Sequence, residues 1–453
     1  MKAEQRFDWP VCQEAEDYLL ARMDVFLERH AFARELARRM ADETGTLLLD
    51  WVDSLVLDAG AAMELRSLGF VPDLTAETPA GREAWHHPEA MLPRVLLEDA
   101  HGPHSNELAI HVESLADFMG VHGVTAEVEG EPLSRFRRVL VAEENGARFH
   151  VTERRGYRGY VPEPRSHPVE TLNLLIAAEC WETRRREFAH PAEGFDAAEK
   201  LLTRLIGEIG RDLTCHVVFA GERKYWQRRN RAARVQKMRQ DALGLGWANH
   251  DHHTFRSSRE SFVRLMRVME ILGFERRERY YAGEQAGWGA QIMEQPVEGI
   301  VVFCDVDLLP EETDIDFSRQ PLPRSAKLGT VGLWTGLHGE SFLEAGMHHL
   351  ECRFDHALLR EQLAGEGIGT MKPFSDLPFL KQAFTEGERW QVRPERARRL
   401  LEDGSIDAAQ YETFVRDGAI GSHLENLQRK GGFKGFNQKS VSAIIAATDP
   451  RRA

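Results

Sequence analysis

Apolar and polar residues follow two different periods along the chain. Residues 9–44 carry apolar side chains at helical spacing, so this segment is predicted to be helical. Stretches with β preference, such as 108–112 and 148–151, predict strands, and a helix is expected after each turn signal. The part of the chain after the N-terminal helices is therefore predicted to mix strands with helices.

A second helical region separates two strand-rich regions. Residues 168–188 and 192–209 have the pattern of amphipathic helices, and 215–219 predicts a short strand. A basic helix over 223–239 is predicted to stop at the Gly-Leu-Gly turn at 244–246. Because this helix has an apolar packing face and belongs to an acidic chain, its arginines do not indicate a nucleic-acid interface.

Three motifs occur twice in the same order, which indicates that one unit is repeated. The pairs are Leu-Gly-Phe at 68–70 and 272–274, His-Val-Glu-Ser and His-Leu-Glu-Cys at 111–114 and 349–352, and a glycine-aromatic-basic-glycine-aromatic motif at 156–160 and 432–436. The offsets between copies are 204, 238 and 276 residues, so the second copy carries two insertions of 34 and 38 residues.

The second insertion is placed within 369–413, a stretch that includes Pro-Phe-Ser-Asp at 373–376. Insertions confined to one copy are candidates for a lid or a substrate-selecting wall. The alternative is a surface elaboration or an oligomer contact.

These features divide the chain into four segments. They are an N-terminal helical segment (1–46), a degenerate metal-free module (47–162), a helical linker (163–245) and a metal-binding catalytic module (246–453). Histidine-rich motifs are concentrated in the second copy, so the metal is assigned to that module.

Composition narrows the class of protein. The 453 residues suffice for two or three domains, and the net charge of −14 argues against nucleic acid or an anionic membrane as the main partner. No apolar run approaches the roughly 18 residues of a membrane span, and no signal-peptide core follows the N-terminus, so a cytoplasmic location is expected. The five cysteines are scattered without a CxxC pair, which indicates reduced core residues and no zinc knuckle.

Short strand motifs in the second copy carry the candidate metal ligands. His252, Thr254 and Arg256 share one face of a predicted strand, so a ligand and a cation would line the same cavity. In the next motif His348 and His349 are expected to face opposite ways. Only one of this pair is then able to bind the same ion.

The third motif begins at His423. Glu425 shares its face, and Arg429 also lies on that face if the strand continues. Two imidazoles and one carboxylate from three strands form the facial triad of non-haem Fe(II) oxygenases, which leaves positions open for substrate and O₂. Zinc would prefer a tetrahedral site, often with thiolate.

The histidines differ in their expected roles. Isolated histidines are more often satisfied core or surface residues than metal ligands. Their concentration in strand motifs makes His252 and His349 the strongest candidate ligands. His250 and His253 are assigned to supporting or structural roles.

At these residues the chain resembles the 2-oxoadipate dioxygenase/decarboxylases, Fe(II) enzymes of the vicinal oxygen chelate superfamily. The likeness covers about 246–448. Its motifs are Asp-His-x-x-x-Arg at 251–256, the histidine pair at 348–349, Glu-x-x-x-Arg at 425–429 and a glycine-aromatic segment that ends at Asn437. His348 stands where a polar residue is usual and His423 where an aromatic is usual. Which residue binds within the pairs His348/His349 and His423/Glu425 is therefore left open.

The resemblance implies an α+β fold of duplicated vicinal oxygen chelate-like modules, each a curved mixed β-sheet, with helical N-terminal and linker segments. It also implies Fe(II) held by His252, His349 and Glu425. Arg256 would hold a substrate carboxylate, for which its planar fork is suited. Arg429 and His423 are predicted to contact substrate as well.

The predicted function is that of an Fe(II)-dependent dioxygenase. It would take a 2-oxo acid resembling 2-oxoadipate together with O₂, and form a 2-hydroxy acid by oxidative decarboxylation and hydroxylation. The alternatives are a metal-dependent isomerase or lyase of the same superfamily, or a non-catalytic small-molecule binding protein. The sequence leaves the substrate, the pathway and the oligomeric state open.

Overall fold

The computed structural model describes residues 9–99, 106–163, 168–283, 286–325, 327–372, 377–436 and 449–452. Its helices are α1 (Gln13–Arg29), α2 (Ala31–Arg39), α3 (Ala62–Ser67), α4 (Leu115–His122), α5 (Pro168–Glu182), α6 (Pro191–Ile209), α7 (Arg211–Gln227), α8 (Arg231–Asp241), α9 (Phe262–Ile271), α10 (Thr330–His338), α11 (His356–Gly365), α12 (Pro394–Glu402) and α13 (Ala408–Asp417). Asn437 and 373–376, singled out in the sequence, lie outside the described residues.

The strands of the described residues form two eight-stranded mixed sheets. Those of the first sheet are β1 (Val52–Asp58), β2 (Val71–Pro72), β3 (Arg82–His86), β4 (Arg94–Glu98), β5 (Glu107–His111), β6 (Val128–Glu129), β7 (Phe136–Glu144) and β8 (Ala147–Arg154). Those of the second are β9 (His250–Arg256), β10 (Glu275–Tyr281), β11 (Trp288–Gln295), β12 (Ile300–Asp307), β13 (His349–Arg353), β14 (Leu380–Phe384), β15 (Glu388–Trp390) and β16 (Ala419–Arg429).

The two sheets share one topology. The first has the order β2-β3-β4-β1-β5-β8-β7-β6, and the second has the order β10-β11-β12-β9-β13-β16-β14, with β15 paired to β16. In the first sheet the central strands β1 and β5 are antiparallel, β1 is parallel to β4, and β5 is parallel to β8. In the second sheet the central strands β9 and β13 are antiparallel, β9 is parallel to β12, and β13 is parallel to β16. The first sheet therefore consists of two βαβββ units, and the second consists of one such unit and a unit of β13, α11, β14 and β16, in which β15 lies off the strand path. The predicted α+β fold of duplicated vicinal oxygen chelate-like modules is confirmed, and each module is itself a duplication.

The Leu-Gly-Phe repeat has the same structural cause in both modules. It ends α3 in the first module and α9 in the second, where Gly69 and Gly273 have φ angles of +90° and +88°. Only glycine adopts this left-handed conformation at low cost, and it closes the last helical turn. The following residues, Phe70 and Phe274, are buried in the cores beneath.

Helices cover the two sheets with separate apolar cores. In the first core, α1 and α2 pack on the sheet through residues such as Leu19 and Phe26. In the second core, α5 to α9 contribute large side chains that include Trp181, Phe219 and Trp226. Within the described ranges, no helix has both the length and the hydropathy of a membrane span.

Two expectations for the linker are wrong. The predicted strand at 215–219 lies within α7, and the predicted basic helix over 223–239 is divided between α7 and α8. A buried helix also presents a continuous apolar run, so periodicity does not separate it from a strand here. The division arises because the Asn230 side chain caps α8 by accepting from the Ala233 amide at 2.8 Å.

The two insertions of the second module pack against each other. The first lies between β12 and β13 and contains α10, and the second lies between β14 and β16 and contains β15, α12 and α13. Leu333 and Leu337 of α10 share a small core with Ala397 and Leu400 of α12. The corresponding strands of the first module, β7 and β8, are joined directly by a turn at 145–146.

Candidate metal centre

Three adjacent strands in the middle of the second sheet bring the predicted ligands together. His252 lies on β9, His349 on β13 and Glu425 on β16, and these strands are neighbours in the order β9-β13-β16. One nitrogen or oxygen atom of each residue, together with one of Glu351, lies within 4.8 Å of all the others. The cluster is therefore two imidazoles and two carboxylates.

Strand register explains why Glu351 joins the cluster. It lies opposite His252 across the antiparallel β9–β13 pair and opposite Glu425 across the parallel β13–β16 pair. Glu351 is not among the ligands predicted from the sequence, although it follows His349 by two residues and so points to the same face.

The cluster is buried and tightly connected. His252 Nε2 lies 2.5 Å from Glu351 Oε2, and His349 Nε2 lies 3.2 Å from Glu425 Oε2. Gln382 Nε2 donates to Glu425 Oε1 at 2.8 Å. Side-chain exposure is at most 4% for His252, Glu351 and Glu425. Bulk water is therefore largely excluded from these donor atoms.

Two buried carboxylates in contact require a compensating positive charge. Burial, and next the charge of Glu351, raise the pKa of Glu425 well above its usual range. Glu351 Oε2 has no satisfied hydrogen bond in the described structure, although His252 lies close to it. A divalent cation would neutralise both carboxylates and accept lone pairs from both imidazoles, so this donor set fits a metal ion.

A second group, of histidines only, adjoins the first. Ligand atoms of His348, His349 and His423 lie within 4.8 Å of one another. His423 Nε2 is 3.2 Å from His349 Nδ1, and His348 Nδ1 contacts the Gly421 carbonyl at 3.0 Å. The positive charge of Arg256 acts on all three rings, so it also opposes a cation among them. The group that contains the carboxylates is the better metal site.

The expectation that His348 and His349 face opposite ways is wrong. Strand β13 begins at His349, so His348 precedes the alternating part of the backbone. The two rings are 5.1 Å apart, and the His348 ring is 4.8 Å from that of His423. Alternation applies only within a regular strand.

Arg256 lies on the same side of β9 as the cluster, as the spacing predicted. Its Nε is 3.9 Å from Asp305 Oδ2, and its guanidinium carbon is 5.5 Å from the ring centre of Trp334. No hydrogen bond of its side chain is found among the described residues, and burial lowers its pKa to about 10. An anionic group in this cavity would satisfy these donors.

Arg429, by contrast, is already bound within the protein. Its Nε and one terminal nitrogen donate to the two carboxylate oxygens of Asp251 at 2.9 and 3.0 Å. Its other terminal nitrogen donates to the Phe433 and Gly435 carbonyls, each at 2.7 Å. These partners use four of the five N–H donors of Arg429, so its main contacts are within the protein, and its predicted substrate contact stays a prediction.

The first module contains the same clamp. Arg154 binds both oxygens of Asp53 at 2.8 Å and donates to the Tyr157 and Gly159 carbonyls. Its guanidinium also covers the Tyr160 ring, as that of Arg429 covers Phe436. The repeated glycine-aromatic motif is therefore the loop that this arginine holds, whether or not a metal cluster is present.

In the second module the clamp also reaches the metal centre. Asp251 Oδ1 lies 3.2 Å from His252 Nδ1, so the aspartate orients the ring whose Nε2 faces the cluster. Burial opposes ionisation of Asp251, but Arg429 and His252 together lower its pKa. A carboxylate on the far nitrogen of an imidazole fixes the tautomer of a metal ligand.

The twin arginines give a matched pair of variants. Arg429→Met and Arg154→Met should each destabilise the protein by about 3–5 kcal/mol, because each leaves an aspartate whose side chain is at most 11% exposed without its partner. Only Arg429→Met should also weaken metal binding, by roughly 10- to 100-fold, since only Asp251 supports a ligand. Urea unfolding and metal titration of the folded protein measure the two effects. Equal metal affinity in both variants would contradict the positioning role of Arg429.

Strand register identifies the counterpart of the cluster in the first module. Ser54 faces Ala109 across β1 and β5, and Ala109 faces His150 across β5 and β8. These residues match His252, Glu351 and Glu425 in the second sheet, and Glu107 matches His349.

The counterpart site is filled by an ion-pair network. The guanidinium of Arg82 donates to both oxygens of Glu107 at 3.0 Å and to Glu98 at 3.1 Å, and Arg148 binds Glu107 at 3.0 Å. The cavity that remains is about 20 Å³, room for about one water molecule. Arginine side chains occupy this site in place of a cation.

The motifs that begin at His111 and His349 do not occupy equivalent strand positions in the two modules. His111 is the last residue of β5, as Arg353 is of β13, so its counterpart is not His349. His111→Ala is accordingly expected to leave metal content unchanged, as measured by elemental analysis of purified protein. Loss of a metal ion in this variant would show a second site in the first module.

The insertions form a wall beside the metal centre. Trp334 of α10 donates from Nε1 to the Gly421 carbonyl at 2.9 Å, and its ring lies 5.4 Å from that of His348. Trp390 of the second insertion lies 6.0 Å from the Trp334 ring. This packing favours the interpretation of the insertions as a substrate-selecting wall over that of a surface elaboration.

Comparisons with known proteins assign no family to the chain. No family model matches it, and no curated protein matches it. Among solved structures, it is 14% identical to a triple mutant of 4-hydroxymandelate synthase from Streptomyces coelicolor, over 89% of this chain and 99% of that one, with a TM-score of 0.31.

Two further structures show likenesses of the same order. A methylmalonyl-CoA epimerase from Mycobacterium tuberculosis is 12% identical over 40% of this chain and 88% of its own, with a TM-score of 0.23. An uncharacterized protein from Shigella flexneri that includes domain DUF1338 is 14% identical over 56% of this chain and 73% of its own, with a TM-score of 0.24. Likeness at this level identifies no substrate for the present chain.

Proposed function

We propose that this protein is a non-haem Fe(II)-dependent dioxygenase that decarboxylates and hydroxylates a 2-oxo acid. The observation that carries the proposal is a largely buried cluster of two imidazoles and two carboxylates on adjacent strands, beside the buried guanidinium of Arg256, whose Nε has no hydrogen bond. Few buried donor sets of this kind serve packing alone, because unpaired buried charges are costly.

The ligands we propose are His252, His349 and Glu425, which form a facial triad. Bound Fe(II) would supply open coordination positions for a chelating 2-oxo acid and for the activation of O₂. Gln382 holds Glu425 by donating to its Oε1, and so fixes the carboxylate that faces His349. Glu351 is the neighbouring carboxylate and is available as a fourth donor.

Arg256 would bind the substrate carboxylate. Its planar fork offers two parallel donors to the two oxygens, and burial among Trp334 and the histidines strengthens such a pair. The tryptophans of the two insertions would exclude water and limit the size of the substrate.

The overall reaction balances without another reductant. A 2-oxo acid R–CH₂–CO–COOH and O₂ would give CO₂ and the 2-hydroxy acid R–CHOH–COOH. The C1–C2 bond of the oxo acid breaks, and both oxygen atoms enter the 2-hydroxy acid, one in its new carboxyl group and one in its hydroxyl group. Decarboxylation and hydroxylation each supply two of the four electrons that reduce O₂.

The test is metal analysis of anaerobically purified protein, followed by oxygen-electrode assays with a panel of 2-oxo acids that includes 2-oxoadipate. We expect one Fe(II) per chain and equal amounts of O₂ consumed and CO₂ released. No stimulation of oxygen uptake by any 2-oxo acid in the panel would refute the dioxygenase.

One observation favours a second candidate, a metal-dependent isomerase or lyase. Glu351 gives the cluster a second carboxylate, and a four-ligand site leaves fewer positions for both a chelating substrate and O₂. A buried carboxyl of raised pKa, as at Glu425, is also suited to proton transfer. Conversion of a substrate under argon would support this candidate over the dioxygenase.

A further inference from the structure

A separate cavity of about 570 Å³ lies between the two modules. It is bordered by the first residues of β1 and β9, the last residues of β5 and β13, one side of α7 and the hairpin at 296–299. None of the four residues of the metal cluster lines it. Its volume lies within the roughly 300–1,000 Å³ of small-molecule sites.

The acidic groups of this cavity mostly have partners of their own. Asp53 is bound by Arg154, Glu298 accepts from His216 Nδ1 at 3.1 Å, and Glu294 lies 3.2 Å from Lys434 Nζ. Desolvation raises the pKa of Asp50 to about 6, and the charge of Arg353 opposes this rise. The negative charge of the lining is therefore largely compensated.

Two arginines of the lining have no ion pair of this kind. Among the described residues, no carboxylate lies within ion-pair distance of Arg223 or Arg353, and the Nε atoms of both are buried without a hydrogen bond. Arg223 is only 7% exposed, and among the described residues the one polar contact of its side chain is with His253 Nε2 at 3.3 Å. A buried guanidinium with unmet donors is costly unless an anion completes it.

The carboxylates that face Arg223 are held by other groups. Glu113 lies 3.0 Å from Lys237 Nζ, and Glu298 accepts from His216. Burial lowers the pKa of Arg223, although both carboxylates act to raise it. These acids reduce the cost of the buried charge without pairing with it.

Each module also contributes a histidine nitrogen without a partner. His111 Nδ1 comes from the end of β5, and His250 Nδ1 comes from the start of β9. Both residues line the cavity together with Arg223 and Arg353. Unmet polar groups from both modules and from α7 therefore line one cavity.

We propose that this cavity binds a small organic anion, a carboxylate or a phosphate ester, through Arg223 and Arg353. The planar guanidinium groups suit two-point contacts with either anion, and the histidines supply further polar contacts. The ligand is distinct from the substrate at the metal centre, because a different set of residues receives it.

Calorimetric titration of the full chain, freed of metal by a chelator, tests this inference without involving the metal centre. The probes are citrate and phenyl phosphate at constant ionic strength, which distinguish a carboxylate site from a phosphate site. We expect one of them to bind with one site per chain. Loss of a charged two-point contact in Arg353→Met should weaken that binding by at least about tenfold.

Arg267→Met is the matched control, because this arginine is exposed on α9 and remote from the cavity lining. It should bind the probe as the wild type does, and so should Glu425→Ala. Arg223→Met should match Arg353→Met; if it does not fold, Arg353→Met alone decides. Absence of binding by both probes at millimolar concentration, or unchanged affinity in Arg353→Met, would overturn the proposal.

Discussion

Glu425→Ala is expected to lose bound iron and oxygen uptake together. The substitution removes the carboxylate that faces His349 and leaves Glu351 as the only acidic donor. Loss of an outer partner of a ligand lowers metal affinity by roughly 10- to 100-fold, and loss of a direct ligand should lower it by more. Metal content after anaerobic reconstitution and the rate of O₂ consumption measure the two effects.

His150→Ala is the matched control, because His150 occupies the corresponding strand position in the first module. It should retain both iron and activity. Glu351→Ala decides between the two carboxylates. If Glu351→Ala loses iron while Glu425→Ala keeps it, the role of ligand passes to Glu351.

Arg256→Ala should retain iron but lose efficient use of a 2-oxo acid. A charge-assisted contact is worth roughly 1.5–3 kcal/mol, so kcat/KM should fall by about 10- to 100-fold or more. Arg256→Lys should restore little of this loss, because lysine keeps the charge without the planar fork. Steady-state kinetics with the best 2-oxo acid, together with metal content, provide the measurement.

The iron content of Arg256→Ala, compared with that of the wild type, is the control. Iron retained at the wild-type level shows that the cluster has survived the substitution. Under that condition, wild-type kcat/KM in Arg256→Ala would exclude the carboxylate role of Arg256.

The sequence was most informative where local alternation controls the outcome. The spacing of His252, Thr254 and Arg256 predicts that they share one face, and the motifs of His349 and Glu425 predict two further strands of the same sheet. The structure brings these residues together because regular strands obey the two-residue period. The repeat motifs likewise indicated the duplication that the topology confirms.

Other features depend on contacts that no local pattern encodes. His348 lies just outside a strand, so alternation misled its assignment, and the strand predicted at 215–219 is a buried helix. Arg429 has the spacing of a site residue, yet Asp251, distant in sequence, binds it. The cavity between the modules depends on how they pack. It has no sequence signature.

The twin arginine clamps have a consequence for protein design. Since Asp53 and Arg154 hold the first module as Asp251 and Arg429 hold the second, the framework does not depend on the metal centre. The first module is thus a natural template in which an artificial centre could be installed without redesigning the backbone. The smallest change would replace the residues at the counterpart positions of the first module with metal ligands. It would also replace Arg82, whose guanidinium occupies the place of a metal ion.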